Sequence, residues 1–443
     1  MKTFKIGGVH PVENKLTADK AIQEIPLPQT VIIPLSQSLG APSKPIVEKG
    51  EVVKVGQLIA KGESFISSNI HSSVSGKVVK IEEASDASGY RRPCVFIDVI
   101  GDEWLESIDR STDIVYDIPQ SGDVIISRIK DLGIVGMGGA TFPTHVKLMV
   151  PQDKKAEFLI INGVECEPYL TSDHRIMLER GDEIIIGIRL LMVALGVHSA
   201  FIGIENNKAD AINHLQKLTA PLPDISVVPL KVKYPQGGEK QLIKAVTGRE
   251  VPSGKLPIET GCIVNNVGTA LAVYEAVQKN KPLINRVVTV TGASLRDPGN
   301  YLVRIGTPVD FLVEHAGGLP ENTGKVISGG PMMGKSLTTL DVPVVKGTSG
   351  ILILSEGQSH RANLHNCIRC ARCVSVCPMG LQPVDLANYT SNNMYEEAEK
   401  AFIMDCMECG SCQYTCPSGR PLLDYVRLGK NKVGNIIRNR IKN

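Results

Sequence analysis

The sequence predicts a multidomain α/β protein, and three observations carry that expectation. Residues 1–115 break into short β-branched runs separated by proline and glycine, such as Val31-Ile32-Ile33 and Val78-Val79-Lys80-Ile81. Residues 116–280 alternate short apolar runs with longer amphipathic ones, the pattern of a mainly parallel sheet. Residues 346–443 hold two copies of one four-cysteine run in a stretch of helical composition, after a further β-rich segment at 281–345. At 443 residues the chain has room for about three or four domains of ordinary size.

Formal net charge is +2 and aromatic residues make up 4%, so both the bulk electrostatics and the stacking surface of a nucleic-acid binder are missing. Of the eleven cysteines, eight fall in the two runs, and Cys94, Cys166 and Cys262 are scattered. This is the usage of a reducing compartment rather than a disulfide scaffold. Met1-Lys2-Thr3-Phe4 holds no apolar signal core. The longest apolar run, 184–197, is interrupted by Arg189 and too short to span a bilayer, so a buried helix is expected there. A soluble or peripheral protein follows, with any membrane passage left to partner subunits.

In the amino-terminal region, Gly50-Glu51-Val52-Val53-Lys54-Val55-Gly56-Gln57-Leu58-Ile59-Ala60 is followed by Ile70-His71-Ser72-Ser73-Val74-Ser75-Gly76-Lys77-Val78. These stretches resemble the barrel-sandwich fold of lipoyl and biotin carrier domains. The lysine-bearing tip of those carriers is missing, and Lys61 stands in a different context. A docking module without attached lipoate or biotin is expected. Further on, 157–161, 200–205 and 225–232 read as strands, and 182–195 and 208–218 as helices. A ligand of such a sheet belongs at the carboxyl ends of its strands. The Val287-to-Gly292 run reads as a strand, Asp297-Pro298-Gly299-Asn300 as a turn, and 292–318 resembles a soluble-ligand-binding β-grasp (SLBB) module. Residues 341–350 read as a linker.

The first cysteine run is Cys367, Cys370, Cys373 and Cys377, followed by Pro378; the second is Cys406, Cys409, Cys412 and Cys416, followed by Pro417. Both read C-x2-C-x2-C-x3-C-P, the spacing of bacterial ferredoxins. A cubane cluster needs four soft thiolates. The close spacing wraps three corners with one loop, and in two-cluster ferredoxins the fourth comes from the other run. The expected sets are Cys367, Cys370, Cys373 and Cys416 for one [4Fe-4S] cluster, and Cys406, Cys409, Cys412 and Cys377 for the second. Zinc knuckles and disulfides use the same residue type, but a duplicated run with proline after each last cysteine speaks against both. Residues 384–404 have helical character, so an α-helical ferredoxin domain is expected rather than one with a β-ribbon. The tail carries Arg427, Lys430, Lys432, Arg438, Arg440 and Lys442. A solvated helix face and contact with an acidic membrane or partner surface both fit that charge.

The stretch Gly133-Ile134-Val135-Gly136-Met137-Gly138-Gly139-Ala140-Thr141-Phe142-Pro143-Thr144-His145-Val146-Lys147 is glycine-rich without being G-x-G-x-x-G. Glycines let amides approach an anion, a helix starting near Pro143 would point its positive end there, and Lys147 would add a counter-charge. Three more stretches follow: Asn162-Gly163-Val164-Glu165-Cys166-Glu167-Pro168, Tyr234-Pro235-Gln236-Gly237-Gly238-Glu239-Lys240 and Val264-Asn265-Asn266-Val267-Gly268-Thr269. In this order the four resemble the NADH-binding flavoprotein subunit of respiratory complex I, which binds FMN and NADH. The resemblance implies that Gly136, Gly138, Gly139 and Lys147 line the cofactor loop, with Phe142 stacked against the dinucleotide. It implies that Asn162, Glu165 and Glu167 face the flavin and nicotinamide, and that Gly237 and Glu239 form the next wall. Asn265, Asn266 and Thr269 would hold the FMN phosphate end. Met137, Val164 and Gly238 depart from the family's arginine, aspartate and glutamate, and bear on the NADH contacts more than on the FMN site.

The whole order, from a Gly7-to-Pro11 opening through barrel-sandwich, flavoprotein-like region, β-grasp and two-cluster ferredoxin, resembles the C subunit of Rnf (ion-translocating oxidoreductase) electron-transport complexes. That resemblance implies NADH or NAD as substrate, FMN and two [4Fe-4S] clusters as cofactors, and the other subunits of a membrane complex as partners. It also implies a peripheral place on the cytoplasmic side of the cell membrane, indirect exchange with ferredoxin, and coupling to sodium or proton movement. Nicotinamide passes two electrons as a hydride, a [4Fe-4S] cluster passes one, and a flavin exchanges either number; the protein positions and tunes these groups. No side chain is expected as nucleophile or general acid. Two alternatives stay open: a soluble flavin and iron–sulfur cobalamin reductase, whose glycine loop lies nearer the amino terminus, and a pure iron–sulfur carrier and docking module.

Overall fold

The computed structural model describes residues 1–442; Asn443 and the side chain of Lys442, the last of the basic tail residues, lie outside the described residues. The barrel-sandwich is built from two sheets. One runs Thr30–Pro34, Arg91–Val99, Gly76–Ser85, Val52–Val53, and the other Lys44–Pro45, Leu58–Lys61, Ile70–His71. Alternate residues point inward, so Val31, Ile33, Ile59, Val78 and Ile97 of both sheets meet in one core.

The central sheet is parallel throughout, in the order Ile225–Leu230, Ala200–Glu205, Phe158–Asn162, Cys262–Asn266. Both of its faces are covered, which explains why its strands are apolar without alternation. Leu159 and Ile161 point into the core shared with the Gly122–Asp131, Gly181–Leu195 and Val267–Lys279 helices, and Ile160 into the core under the Glu239–Thr247 helix. The expected 182–195 helix is there, buried along most of its length, with Gly196 in the left-handed conformation ending it.

Two strands fall outside the expected places. A mixed six-stranded sheet runs Ile22–Glu24, Gly299–Arg304, Asn285–Thr291, Gly350–Ser355, Thr323–Ser328, Lys335–Ser336. The Gly350–Ser355 strand, expected from the sequence at the start of the cluster domain, lies inside this sheet with Ile351, Leu352 and Ile353 buried. The first strand comes from the amino terminus, ahead of the barrel-sandwich. The amino-terminal segment is a strap rather than part of the barrel. Lys2 bridges to Leu230, Val9 to Tyr234, the Gly8 amide donates to the Val376 carbonyl at 2.8 Å, and Ile22–Glu24 joins the third domain. Short β-branched runs look alike whichever sheet they enter, so composition does not separate strap from barrel.

The carboxyl-terminal domain has helices at Pro383–Ser391, Tyr395–Lys400 and Leu422–Lys442 and short turns of helix at Arg372–Ser375 and Ser411–Tyr414. No strand occurs among its described residues from 360 onward, so the ferredoxin unit is helical as expected. Leu386, Ala398, Ile403, Val426 and Val433 form its core.

The helix that carries Thr269 at its start is held by a close crossing. A Cβ on Gly187, within Gly181–Leu195, would overlap the Ala270 carbonyl oxygen of Val267–Lys279. Gly187→Ala therefore forces the two helices apart, with an expected cost of about 1–3 kcal/mol. Chemical denaturation of the purified protein checks this; an unchanged midpoint would refute it.

Candidate functional site

The parallel sheet decides where a ligand goes. Its first strand in the chain, Phe158–Asn162, sits inside the sheet. The chain runs outward through Ala200–Glu205 and Ile225–Leu230, then returns to place Cys262–Asn266 on the other side. Such a reversal opens a crevice at the carboxyl ends of the two strands. Asn162 and Asn266 are register partners there.

Most of the expected residues converge on this point. The Gly136 amide donates to the Phe142 carbonyl at 2.8 Å, and the Met137 amide to Thr269 Oγ1 at 3.0 Å, which fixes the glycine loop over the start of Val267–Lys279. A Cβ on Gly138 would lie 2.9 Å from Asn266 Nδ2, so the loop's approach requires glycine there. Gly138 and Gly139 are exposed, and Phe142 is half-buried. Asn162 Nδ2 donates to the Gly237 carbonyl at 2.9 Å, while its Oδ1 accepts the Val164 amide at 3.1 Å. Asn266 Oδ1 accepts the Gly268 amide at 2.8 Å and caps the helix, and its Nδ2 donates to Asp173 at 2.6 Å. Asn265 is buried with its Nδ2 unpartnered. An orphan donor of that kind costs about 1–3 kcal/mol. That donor, the exposed glycines and a helix start fit a flavin mononucleotide, which brings acceptor oxygens and a phosphate.

Four charged residues do other work than expected. Lys147 is not an open counter-charge: its Nζ donates to Glu239 at 2.8 Å and to the Val264 carbonyl at 2.7 Å, because the Thr144–Leu148 helix lays it over the Cys262–Asn266 strand. That pair also occupies Glu239. Glu165 turns its carboxylate onto the Ser172–Glu179 helix, accepting the Asp173 amide at 2.8 Å and the His174 amide at 3.2 Å. Glu167 accepts the Met332 and Met333 amides at 3.1 and 2.8 Å and so ties its loop to the β-grasp domain. Burial still pushes the Glu167 carboxyl up to about 7, against those bonds.

Around this loop lies a charged network that no motif announced. Lys15, from the strap, donates to the carbonyls of Glu165, Glu167 and Leu170 at 2.8, 2.9 and 2.6 Å. Burial brings its ammonium down to about 8. Lys208 donates to the Val164 carbonyl at 2.8 Å and lies 3.9 Å from Glu205. Arg286, buried, and Asp173, half-buried, also lie beside the glycine loop. Only Asp173, in the first turn of a helix, had a local signal; the rest act at sequence separations that no motif spans.

In the cluster domain, Cys377 of the first run joins Cys406, Cys409 and Cys412 of the second around a small apolar pocket, whose lining includes Leu381, Leu386, Met407 and Val426. Burial, then the nearby Cys409 and Cys377 sulfurs, push the Cys406 thiol up to about 11, against the Glu408 amide and Lys430. Cys412 is pushed higher by the same causes. Burial raises the Cys373 thiol as well, and Cys416 of the second run adds to the rise. Cys367 and Cys370 are exposed. Four thiols ringing a cavity suit a cluster whose positive irons offset their repulsion. No three His, Cys, Asp or Glu among the described residues close on a point small enough for one ion.

The two sites share a wall. Tyr234 OH donates to the Cys409 carbonyl at 2.8 Å, and Gln241 Nε2 to the Pro378 carbonyl at 3.1 Å. Met407 packs over Gly238. The Tyr234-to-Glu239 segment thus borders the crevice on one side and the cysteine cavity on the other.

Fold and site together define an iron–sulfur flavoprotein of the electron-transfer class. Family models match along the chain: an RnfC barrel sandwich hybrid domain at 2–102, a Nuo51 FMN-binding domain at 129–275, an SLBB domain at 287–336 and a 4Fe-4S dicluster domain at 360–417. The chain is 46% identical to the C subunit of a Na+-translocating ferredoxin:NAD+ oxidoreductase complex of Acetobacterium woodii, covering 97% of each. It is likewise 46% identical to the C subunit of the proton-translocating complex of Clostridium ljungdahlii, over 91% of this chain and 87% of that one. Against the C subunit of the ion-translocating oxidoreductase complex of Rhodobacter capsulatus the values are 43%, 87% and 75%. Among solved structures, an NAD+-reducing [NiFe]-hydrogenase is 19% identical with a TM-score of 0.49, over 70% of this chain and 61% of that one, too distant a likeness to argue from. The chain belongs to the RnfC family, the C subunits of ion-translocating ferredoxin:NAD+ oxidoreductase complexes.

The buried carboxylates beside the site give a pH dependence. Burial raises Glu205 from 4.5 to about 7, more than Lys208 lowers it. A raised folded pKa means that the folded state binds more protons between pH 4.5 and 7, so stability is lost as pH rises through that window. Glu167 has the same sign. Between pH 5 and 7 the wild type should lose up to about 3 kcal/mol per carboxylate. Glu205→Gln should flatten that decline in denaturation curves taken across the window; an equal decline in the variant would refute the assignment.

Proposed function

We propose that this chain is the NADH-reactive electron-transfer subunit of a membrane-bound, ion-translocating ferredoxin:NAD+ oxidoreductase complex. It is an oxidoreductase subunit whose cofactors are FMN and two [4Fe-4S] clusters, and its partners are the other subunits of the complex. The observation that carries the reading is the shared wall, Tyr234 to Glu239, between the switch-point crevice and the cysteine cavity. When bound, the flavin supplies the exchange between a two-electron donor and one-electron acceptors.

The residues of the chain bind and orient. Gly136, Gly138 and Gly139 open the backbone to the ligand, and Thr269 holds the loop through the Met137 amide. Asn162, fixed by Gly237 and Val164, faces the ring system, and Asn265, with a free donor, and Asn266 stand at the phosphate end. Phe142 flanks the nicotinamide approach. Glu165, Glu167 and the Lys147–Glu239 pair shape the walls. Cys406, Cys409, Cys412 and Cys377 hold the cluster nearer the flavin, and Cys367, Cys370, Cys373 and Cys416 the more exposed one. No helix among the described residues is long and apolar enough to cross a membrane. We place the subunit peripherally on the cytoplasmic face, where a reducing compartment keeps the cysteines from forming disulfides and NADH is at hand.

Anaerobic titration of the reconstituted protein with NADH tests the reading. The flavin absorbance should bleach stoichiometrically; FMN that binds and stays oxidised would make the chain a relay fed by a partner. Cys409→Ala should lower iron towards one cluster per chain and leave bound flavin in place, and unchanged iron content would sink the ligand sets.

A further inference from the structure

Arg286 opens a question of charge. It lies at the start of the Asn285–Thr291 strand in the β-grasp sheet, is 3% exposed, and forms no ion pair within 4.0 Å among the described residues. Its Nε donates to the Thr348 carbonyl at 3.2 Å, and its Nη1 lies 2.7 Å from Met137 Sδ. A thioether is a weak acceptor and offsets no charge. The carboxylate that acts on it through space is Asp173, which is already bonded to Asn266. Burial lowers the guanidinium only to about 10, so it is a cation at neutral pH. A buried cation without a matching anion is costly, and chains keep one where a ligand brings the anion.

The surroundings say which anion. Nη1 lies beside Gly268, 3.5 Å from where a Cβ there would stand, in the first turn of the thirteen-residue Val267–Lys279 helix, whose positive end adds to the same field. The glycine loop crosses immediately above, held through Met137 and Thr269. We propose that Arg286 is a binding residue of the flavin site, and that its guanidinium takes the flavin's phosphate at the start of this helix. The flexible Met137 thioether stands where a phosphate oxygen would accept from Nη1, and yields to it readily. The β-grasp domain thereby contributes directly to a site otherwise built by the parallel sheet. This assignment rests on the FMN reading given above.

The test compares FMN with riboflavin, which lacks the phosphate, on the full-length, cluster-containing, flavin-free protein. Dissociation constants are read from flavin fluorescence for wild type, Arg286→Met and Arg286→Lys. Wild type should prefer FMN, and Arg286→Met should lose about tenfold or more in FMN affinity, the worth of a charge-assisted bond, with riboflavin affinity unchanged. Arg286→Lys should keep a smaller preference, since a point charge lacks the guanidinium fork. The flavin-free Arg286→Met protein should melt no lower than wild type, because the uncompensated charge is gone. Equal loss for both flavins, no loss for either, or lowered melting in both variants would overturn the assignment and leave the FMN reading standing. Wild-type protein that prefers neither flavin would overturn the assignment alone, whereas wild type that binds no flavin at all would overturn both.

Discussion

One segment has to satisfy two neighbours at once, and the arrangement of the whole chain follows from that. Tyr234 to Glu239 leaves the edge of the parallel sheet, passes the carboxyl end of Phe158–Asn162, and starts the Glu239–Thr247 helix. Electrons cross protein only over short spans, so a flavin and a cluster that exchange them need a thin partition. A thin partition has little room for solvent, and its polar groups must pair within the protein. Tyr234 spends its hydroxyl on the Cys409 carbonyl, Asn162 spends its amide on Gly237, and Gln241 reaches Pro378. Small residues at 237 and 238 let Cys166 and Met407 close in from either side.

The strap and the buried charges serve the same wall. Lys15 gathers three carbonyls of the loop between Glu165 and Leu170, and Glu167 takes two amides from the β-grasp domain. Each of these groups loses hydration on burial, and their shifted protonation reflects it. Such contacts contribute little net stability, since desolvation offsets most of what they gain. Their effect is on placement: strap, flavin loop, β-grasp loop and cysteine loop are fixed relative to one another by directional bonds instead of by apolar packing alone.

What the sequence made legible was local. The cysteine spacing, the glycine loop and the three further flavin-site motifs each lie within about fifteen residues, so periodicity and motif reading reach them. The helical form of the cluster domain was likewise visible in the composition of 384–404. What stayed hidden was pairing at long range. Ile22–Glu24 and Gly350–Ser355 are short apolar runs that any sheet would accept, and only the partners Gly299–Arg304 and Asn285–Thr291 decide their place. Lys147 beside a glycine loop read as a phosphate cation, because its partner Glu239 is ninety-two residues away. A longer separation hid Arg286, 149 residues from Met137: in sequence it is a single charge at the start of a strand.

The proposed ligand crossing between the two cysteine runs has a structural consequence of its own. If each run wrapped its own cluster, the runs could move apart as separate units. Under the proposed ligand sets, with Cys377 in the pocket of the second run and Cys416 close to Cys373, neither cluster is complete until both runs are in place. The intervening helices Pro383–Ser391 and Tyr395–Lys400 pack on Leu422–Lys442 around Leu386, Ala398 and Val426, which sets the spacing of the runs. The buried second cavity then faces Tyr234, while Cys367 and Cys370 of the first run face solvent. Under the proposed ligand sets, one covalent pattern fixes both the distance between the clusters and the direction in which the pair points, from the flavin wall outward to solvent.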